Sequence, residues 1–355
     1  MHSFFRPGAL LLAAAILLPG CGSPQSRGIP SANAPWMAPD ARPQNLLHVS
    51  DGSRGKSWML PEAKNVKKLL YISDFKTNDV FVYNYETRAL MGQLTGFSGP
   101  YGQCVDRVGD IWIAEYNHND VVEYAHGGTK PLDTLPSGGT GAIGCSVAPN
   151  GDLAVANFGV LSTEIGTIAV FKHASGKARE YSNGSCFNLY PPGYDNRNNL
   201  YVVGEIGWPI GNVCELRAAG HSMKKVSAPG DGSTFLLLKG GVMWDGKYLT
   251  LTGEGNTGDR IIYRVTEAAS GDLTFVGQTV LSDNCDGGYM DVVQPFIVGT
   301  RNTPVNKVEG TAVVGGDLWC SNRFDVWKYP AGGDPIRTIP NGDAEPYGSS
   351  VSIAP

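Results

Sequence analysis

Short apolar runs that end on a small or polar residue recur along this chain. They read LYISD from Leu70, IWIAE from Ile111, LAVAN from Leu153, LYVVG from Leu200, YLTLT from Tyr248 and LWCSN from Leu318. Apolar runs of this length bounded by turn residues read as strands. All but the last begin about 41–48 residues after the one before, and a period in that range, with strands and Gly-rich turns inside each unit, specifies a β-propeller with one four-stranded blade per repeat.

The order within a repeat is legible. Residues 100–106 read as an inner strand A, 107–110 as a tight turn, 111–115 as strand B, 117–120 as a loop, 121–124 as strand C and 132–135 as strand D. The next repeat has strand A at 144–148 and a turn at 149–152, whose Asn-Gly is the strongest short-range hairpin signal. Further A–B turns are read at 196–199, Asp245-Gly246 and Gly315-Gly316. Residues 346–353 copy 100–105 with no B strand after them, and the B strand at Leu70 has no comparable A strand before it. The C-terminal strand is therefore expected to pair with the first repeat and close the ring, which removes open sheet edges. The expectation is an all-β, six-bladed β-propeller closed by its C-terminal strand. The stretch from Leu273 to Gly316 is long for one blade. It is read as strand D at 273–281, an excursion, and strand A at 311–314; a short extra blade inside it would make seven.

The repeat pattern, P-x-G before an apolar strand, a Gly turn, a second apolar strand ending in Asp, then a loop and V-x-V-(Y/F), resembles the six-bladed NHL-type propellers over residues 69–355. Asp74, Glu115, Asn157 and Asn322 stand where that family has its Asp. Gly204 and Thr252 depart from it, with Glu205 and Glu254 just beyond. The resemblance implies architecture and no single activity, because this superfold serves lyases, lactonases, scaffolds and receptors alike.

Antiparallel order puts the D–A and B–C loops on one face of the ring and the minimal A–B turns on the other. The long loops at 158–165, 206–212 (with Trp208-Pro209) and 253–259 fall on the first face, where binding residues are usually carried. The polar residues at the ends of the B strands form a ring there. They read either as a cation or sugar site, since Ca²⁺ takes carboxylate and amide oxygens, or as Asx turns to nearby backbone N–H groups. The gluconolactonase-like enzymes of this architecture surround an axial divalent metal with Glu, Asn and Asp, but their motifs have no counterpart at matching positions here. No His lies beside a carboxylate and a nucleophile in sequence, and residues 283–288 resemble a Ca²⁺ loop without its closing Glu.

The N-terminus changes the address. Arg6 precedes an apolar run at residues 9–18, far short of the roughly twenty residues a membrane span needs, and this reads as a secretory signal. Leu18-Pro19-Gly20-Cys21-Gly22 resembles the bacterial lipobox, with Pro19 in place of the usual residue. The resemblance implies a lipidated Cys21 and a place in the bacterial cell envelope, anchored to a membrane. The expected organisation is a signal peptide at 1–20, a flexible tether at 21–57, rich in Ser, Pro, Gly, Asn and Ala, and the propeller at 58–355. Gly is frequent (47) and charged residues are sparse (17%), which suits many tight turns and few amphipathic helices. A net charge of −5 speaks against a nucleic-acid partner.

Beyond Cys21, six cysteines remain, an even number in an exported chain, which permits disulfides. Cys104, Cys145 and Cys186 fall near the starts of successive inner strands, so Cys145 with Cys186 is the first candidate pair; buried thiols are the alternative. Without C-x-x-C or a nearby His pair, zinc is not indicated.

The function expected is binding: a protein, peptide or carbohydrate ligand on the loop-rich face, with Asp74, Glu115, Asn157, Glu205, Trp208, Glu254 and Asn322 as candidate contacts. No catalytic residue, metal ligand or cofactor is expected, Ca²⁺ at the polar ring being the exception to consider. The alternative is a metal-dependent hydrolase or lyase of the gluconolactonase or NHL-lyase kind.

Overall fold

The computed structural model describes residues 56–159, 164–207, 210–228, 241–254, 260–282, 296–298, 312–317, 323–340 and 346–355. Among these, strands form six antiparallel sheets. Strands are lettered A to D across each sheet. Sheet I runs Pro346–Ile353 (A), Lys68–Asp74 (B), Asp79–Asn84 (C) and Leu90–Leu94 (D), with Trp58–Met59 added outside D. Sheet II is Pro100–Val105, Ile111–Glu115, Asp120–Tyr124 and Pro131–Pro136; sheet III is Ala142–Val147, Leu153–Asn157, Thr167–Phe171 and Arg179–Tyr181. In sheet IV strand A is split into Asn188–Leu189 and Gly193–Tyr194, both paired with Leu200–Gly207, and Ile210–Leu216 and Lys224–Val226 follow. The split falls at Pro191-Pro192, which has no N–H to give a ladder. Sheet V is Val242–Trp244, Leu249–Glu254, Arg260–Glu267 and Leu273–Leu281; sheet VI is Phe296–Val298, Ala312–Asp317, Arg323–Lys328 and Arg337–Pro340.

Burial explains the sequence pattern. Strand B of sheets II and III is buried at every position, because neighbouring sheets cover both of its faces. It therefore reads as a continuous apolar run and does not alternate. Strand D of sheet II exposes all but one residue and carries the polar sequence PLDTLP. The tight A–B turns of sheets II, IV and V are held by an Asp at their first position: Asp106 Oδ1 accepts the N–H groups of Val108 and Asp110, Asp195 Oδ1 those of Arg197 and Asn199, and Asp245 Oδ1 those of Lys247 and Tyr248.

Each sheet is joined to the next by a specific contact. Gln103 Nε2 donates to Ser73 Oγ at 2.6 Å between II and I, and a Cys104–Cys145 disulfide joins II to III. The Tyr194 N–H donates to Ser146 Oγ between IV and III, and the Val242 N–H to Pro191 O between V and IV. Tyr329 OH donates to Asp245 Oδ2 at 2.5 Å, and Trp327 Nε1–H to Ser282 O at 2.8 Å, between VI and V. Arg337 of sheet VI donates to Tyr85 O beside sheet I. Strand A of sheet I is the C-terminal segment, paired with Lys68–Asp74 from Ile353↔Lys68 to Pro346↔Asp74.

Three expectations are corrected. The first concerns the disulfides, which are Cys104–Cys145 and Cys186–Cys214, with Cα atoms 5.4 and 6.3 Å apart; Cys145 and Cys186 are not partners. Cys145 lies in mid-strand, opposite Val155, whereas Cys186 lies ahead of strand A of sheet IV, against Gly204. A Cβ at Gly204 would lie 2.6 Å from Cys186 Cα. The bare position lets the bridge cross strand B to Cys214 on strand C, and this gives a structural reason for the departure of Gly204 from the repeat. The second is Ala312–Asp317, which pairs with both Phe296–Val298 and Arg323–Lys328 and so takes the B place in sheet VI; strand A is Phe296–Val298 and not 311–314. Third, Gly315-Gly316 accordingly lie within a strand, not at a turn. The run at 318–322 lies outside the described residues, as do Cys21, Cys285 and Cys320.

Candidate functional site

The B–C and D–A loops of sheets I to III interlock by one device used twice. After strand B of sheet I, Asn78 turns into the left-handed region (φ 60°) and its Oδ1 accepts the N–H of Gly99 from the next D–A loop at 2.7 Å. After strand B of sheet II, Asn119 (φ 57°) accepts the N–H of Gly141 at 2.6 Å in the same way. Asn tolerates that backbone better than other non-glycine residues. Both glycines have positive φ, and each backs an aromatic ring: a Cβ at Gly99 would lie 2.8 Å from the Phe75 ring, and one at Gly141 2.8 Å from the Tyr116 ring.

Phe75 and Tyr116 each follow the last residue of a B strand. They meet Tyr101 and Tyr347, which occupy equivalent places at the starts of the A strands of sheets II and I. Ring centroids lie 4.6 Å apart for Tyr101–Tyr347, 5.0 Å for Phe75–Tyr347, 5.9 Å for Tyr101–Tyr116 and 6.2 Å for Phe75 with either Tyr101 or Tyr116. All four are half-buried. Phe158, next after strand B of sheet III, continues the series in a T-shaped contact with Tyr190 at 5.8 Å. The sequence carries a signal for this cluster, an aromatic directly after the B strand in three successive repeats, beside the polar residue that ends each strand.

Glu115 stands beside this cluster. Its side chain is 6% exposed; Oε1 accepts the Ser98 N–H at 2.6 Å and lies 3.2 Å from His118 Nδ1. Its cross-strand partner is Asp120, and ligand atoms of Glu115, His118 and Asp120 lie within 4.8 Å of one another. Burial pushes the Glu115 carboxyl up to about 7; the Ser98 N–H opposes this, Asp120 adds to it, and His118 opposes it. A proton on Glu115 serves the pair, because it supplies a donor to Asp120, whose buried Oδ1 receives no other hydrogen bond.

The other candidate residues divide. Asp74 is fully buried and its Oδ1 accepts the N–H groups of Lys76 and Thr77, an Asx turn. Asn157 is fully buried, and its Nδ2 donates to Ser137 O and Thr167 Oγ1. Turn chemistry thus holds these two, although Asp74 precedes Phe75 of the aromatic cluster as Glu115 precedes Tyr116. In backbone terms Glu254 ends its B strand, whereas Glu205 lies within Leu200–Gly207, opposite Asn188 and Gly211. Trp208 and Asn322 lie outside the described residues.

The opposite face holds a different cluster, between sheets IV and V. Arg197 pairs with Asp195 and Glu267, Arg217 with Glu215 and Glu267, and Tyr201 OH donates to Glu215. A shallow cavity of about 190 Å³ opens there, lined by Arg197, Trp244, Lys247 and Glu267 among others.

Solved structures decide the architecture. The β-propeller domain of Cps50 (Swd1) from Myceliophteria thermophila superposes with a TM-score of 0.50 at 12% identity, over 84% of this chain and 89% of that one. The fold is a β-propeller. Similar scores come from a protein of unknown function of Bacteroides caccae (TM-score 0.52, 12% identity, 81% of this chain and 99% of that one) and from hydrazine synthase of Kuenenia stuttgartiensis (0.52, 14%, 80% and 79%). At these identities the likeness extends to the fold alone. No family model matches the chain, and no curated protein matches it. In propeller terms, the aromatic cluster and Glu115 share the face of the B–C and D–A loops, and the Arg–Glu network sits on the face of the A–B turns.

Proposed function

We propose that this chain is a bacterial envelope lipoprotein, anchored through Cys21, whose propeller binds a ligand on the face of the B–C and D–A loops. The observation that carries the reading is the convergence of four half-buried rings with a desolvated carboxyl pair at the tops of sheets I and II. Groups of this kind are costly to hold together unless they meet a partner. We read the ring as a six-bladed, NHL-like propeller closed by the C-terminal strand; the six sheets, the pairing of 346–353 with 68–74 and the contact of sheet VI with sheet I support this. The metal-dependent hydrolase or lyase is the weaker reading, because Asp74 and Asn157 engage their own loops and the Glu115–His118–Asp120 group comes from one sheet.

The test has two parts. Cys21→Ser is expected to abolish metabolic labelling with radioactive palmitate and to release the protein from the membrane fraction; continued labelling overturns the anchor. Tyr116→Ala is expected to abolish capture of the native ligand from envelope extracts while Trp244→Ala on the other face retains it; the reverse pattern overturns the choice of face.

A further inference from the structure

We propose that the platform of Phe75, Tyr101, Tyr116 and Tyr347, whose rings are inclined at 32–85° to one another, takes a neutral sugar ring, one apolar face of which stacks on the open face of one ring while its hydroxyl edge meets His118 beside Glu115. This rests on the reading that the ligand binds this face, and it names the ligand class.

The spacing of the rings excludes the commonest alternative. An aromatic cage holds a cation between rings that stand apart, each within roughly 6 Å of the charge. Here neighbouring centroids are 4.6–6.2 Å from one another, so the rings already fill the space between them, and a ligand lies on them and not among them. Charge narrows the choice further. The ionisable groups beside the rings are Asp74 and the exposed Lys76, which flank Phe75, together with Glu115, Asp120 and the exposed His118. Three carboxyls against one lysine disfavour an anionic ligand. The His118 side chain is 53% exposed and its Nδ1 lies 3.2 Å from Glu115, so its other ring nitrogen is a donor or an acceptor according to tautomer, which is what a hydroxyl requires.

The platform is also built in advance. Gly99 and Gly141 back the Phe75 and Tyr116 rings, and the Asn78 and Asn119 latches hold those glycines in place. Inner strands I and II approach so closely at the Tyr rings that a Cβ on Gly348 would lie 2.2 Å from Tyr101 O. A platform fixed before binding loses little freedom when a rigid pyranose docks on it.

The test uses the full-length protein in detergent with cellohexaose, chitohexaose and mannohexaose as probes, read by calorimetry. At least one neutral oligosaccharide is expected to bind. Tyr101→Ala and Tyr116→Ala should each weaken it by about tenfold, the size expected when one stacked ring is lost, while Tyr116→Phe and Trp244→Ala leave it unchanged. Should the alanine variants fail to fold, saturation-transfer NMR on the wild type replaces them, with strong transfer from the protein expected to the sugar C–H protons of one face. Equal transfer to both faces overturns the proposal. Failure of all three probes also overturns it. Binding of tetramethylammonium, weakened by Tyr116→Ala, overturns the sugar, and preferential binding of oligogalacturonate, weakened in the same way, overturns its neutrality; either outcome keeps the ligand on this face. Oligosaccharide binding that is lost in Trp244→Ala and unaffected in Tyr116→Ala overturns both.

Discussion

Two clusters of rings and carboxyls sit on opposite faces of this propeller, and they are resolved in opposite ways. Between sheets IV and V, Asp195, Glu215 and Glu267 each meet an arginine, and Tyr201 OH donates to Glu215. Both arginines are held more firmly protonated: at Arg197 the Glu267 and Asp195 carboxylates outweigh burial, and at Arg217 the Glu215 carboxylate is the largest influence. At the tops of sheets I and II, Glu115 and Asp120 face each other with the exposed His118 beside Glu115, and the nearby rings are half-buried. A network that satisfies itself explains its own presence as a joint between sheets. Carboxyls that face each other beside half-buried rings cost stability and are explained by something outside the chain.

The comparison can be broken most forcefully at the covalent joint between sheets II and III. Replacing Cys104 and Cys145 together by Ala is expected to cost about 4 kcal/mol, the loop-closure entropy for a sequence separation of 41, measured by denaturant unfolding; a loss below about 1 kcal/mol would mean that the packing of the sheets, not the bridge, holds them together. Gly141→Ala comes next. Its backbone is left-handed and its new methyl would press on Tyr116, so about 2 kcal/mol of destabilisation and weakened ligand binding are expected together. Unchanged binding would show that the Tyr116 ring needs no support. On the network side, Glu267→Gln is expected to cost about 1 kcal/mol, because its arginines are more than half exposed and screened, and to leave ligand binding untouched; an effect on binding would erase the distinction between the two faces.

The smallest effect is a slope. Glu115 titrates near 7 in the fold against an ordinary 4.5. The folded protein therefore binds more protons than the unfolded chain between these values, and the stability from this group is full below 4.5 and is lost as pH rises through 7. The melting temperature of the wild type should thus fall between pH 5 and pH 8, and less so in Glu115→Gln. Glu123 on the other face is also pushed up to about 7, by burial and by Asp110, Asp106 and Asp133, so Glu123→Gln is the control that isolates the Glu115 contribution. Identical slopes in wild type and Glu115→Gln would remove the shared proton from the account.

The repeat was readable because its cause is local. A strand covered on both faces must be apolar throughout, and a tight turn must carry Asp, Asn or Gly; both demands appear residue by residue, from Ile111–Glu115 to the turn at 149–152. The pairing of the terminal strand followed from the same bookkeeping, since 346–353 copied an A strand that sheet I lacked. Where a local cue was weak the reading slipped: in sheet VI the Gly pair at 315–316 looked like a turn, and only the ladder partners on either side put it inside a strand.

Composition, period and turn chemistry in the chain itself thus determined an all-β repeat fold and the face on which loops cluster. Tertiary structure alone decided which cysteines meet and which polar residues turn inward, because both depend on register between strands far apart in sequence. Cys186 reaches Cys214 only because Gly204 is bare at the crossing, and Asp74 and Glu115, equivalent in the repeat and each opposite an Asp, part ways because Asp74 accepts the backbone donors of its own turn while Glu115 reaches the Ser98 N–H of the next loop and His118. Four aromatics spread from Phe75 to Tyr347 become one surface for the same reason: neighbouring inner strands bring the first and last parts of the chain together.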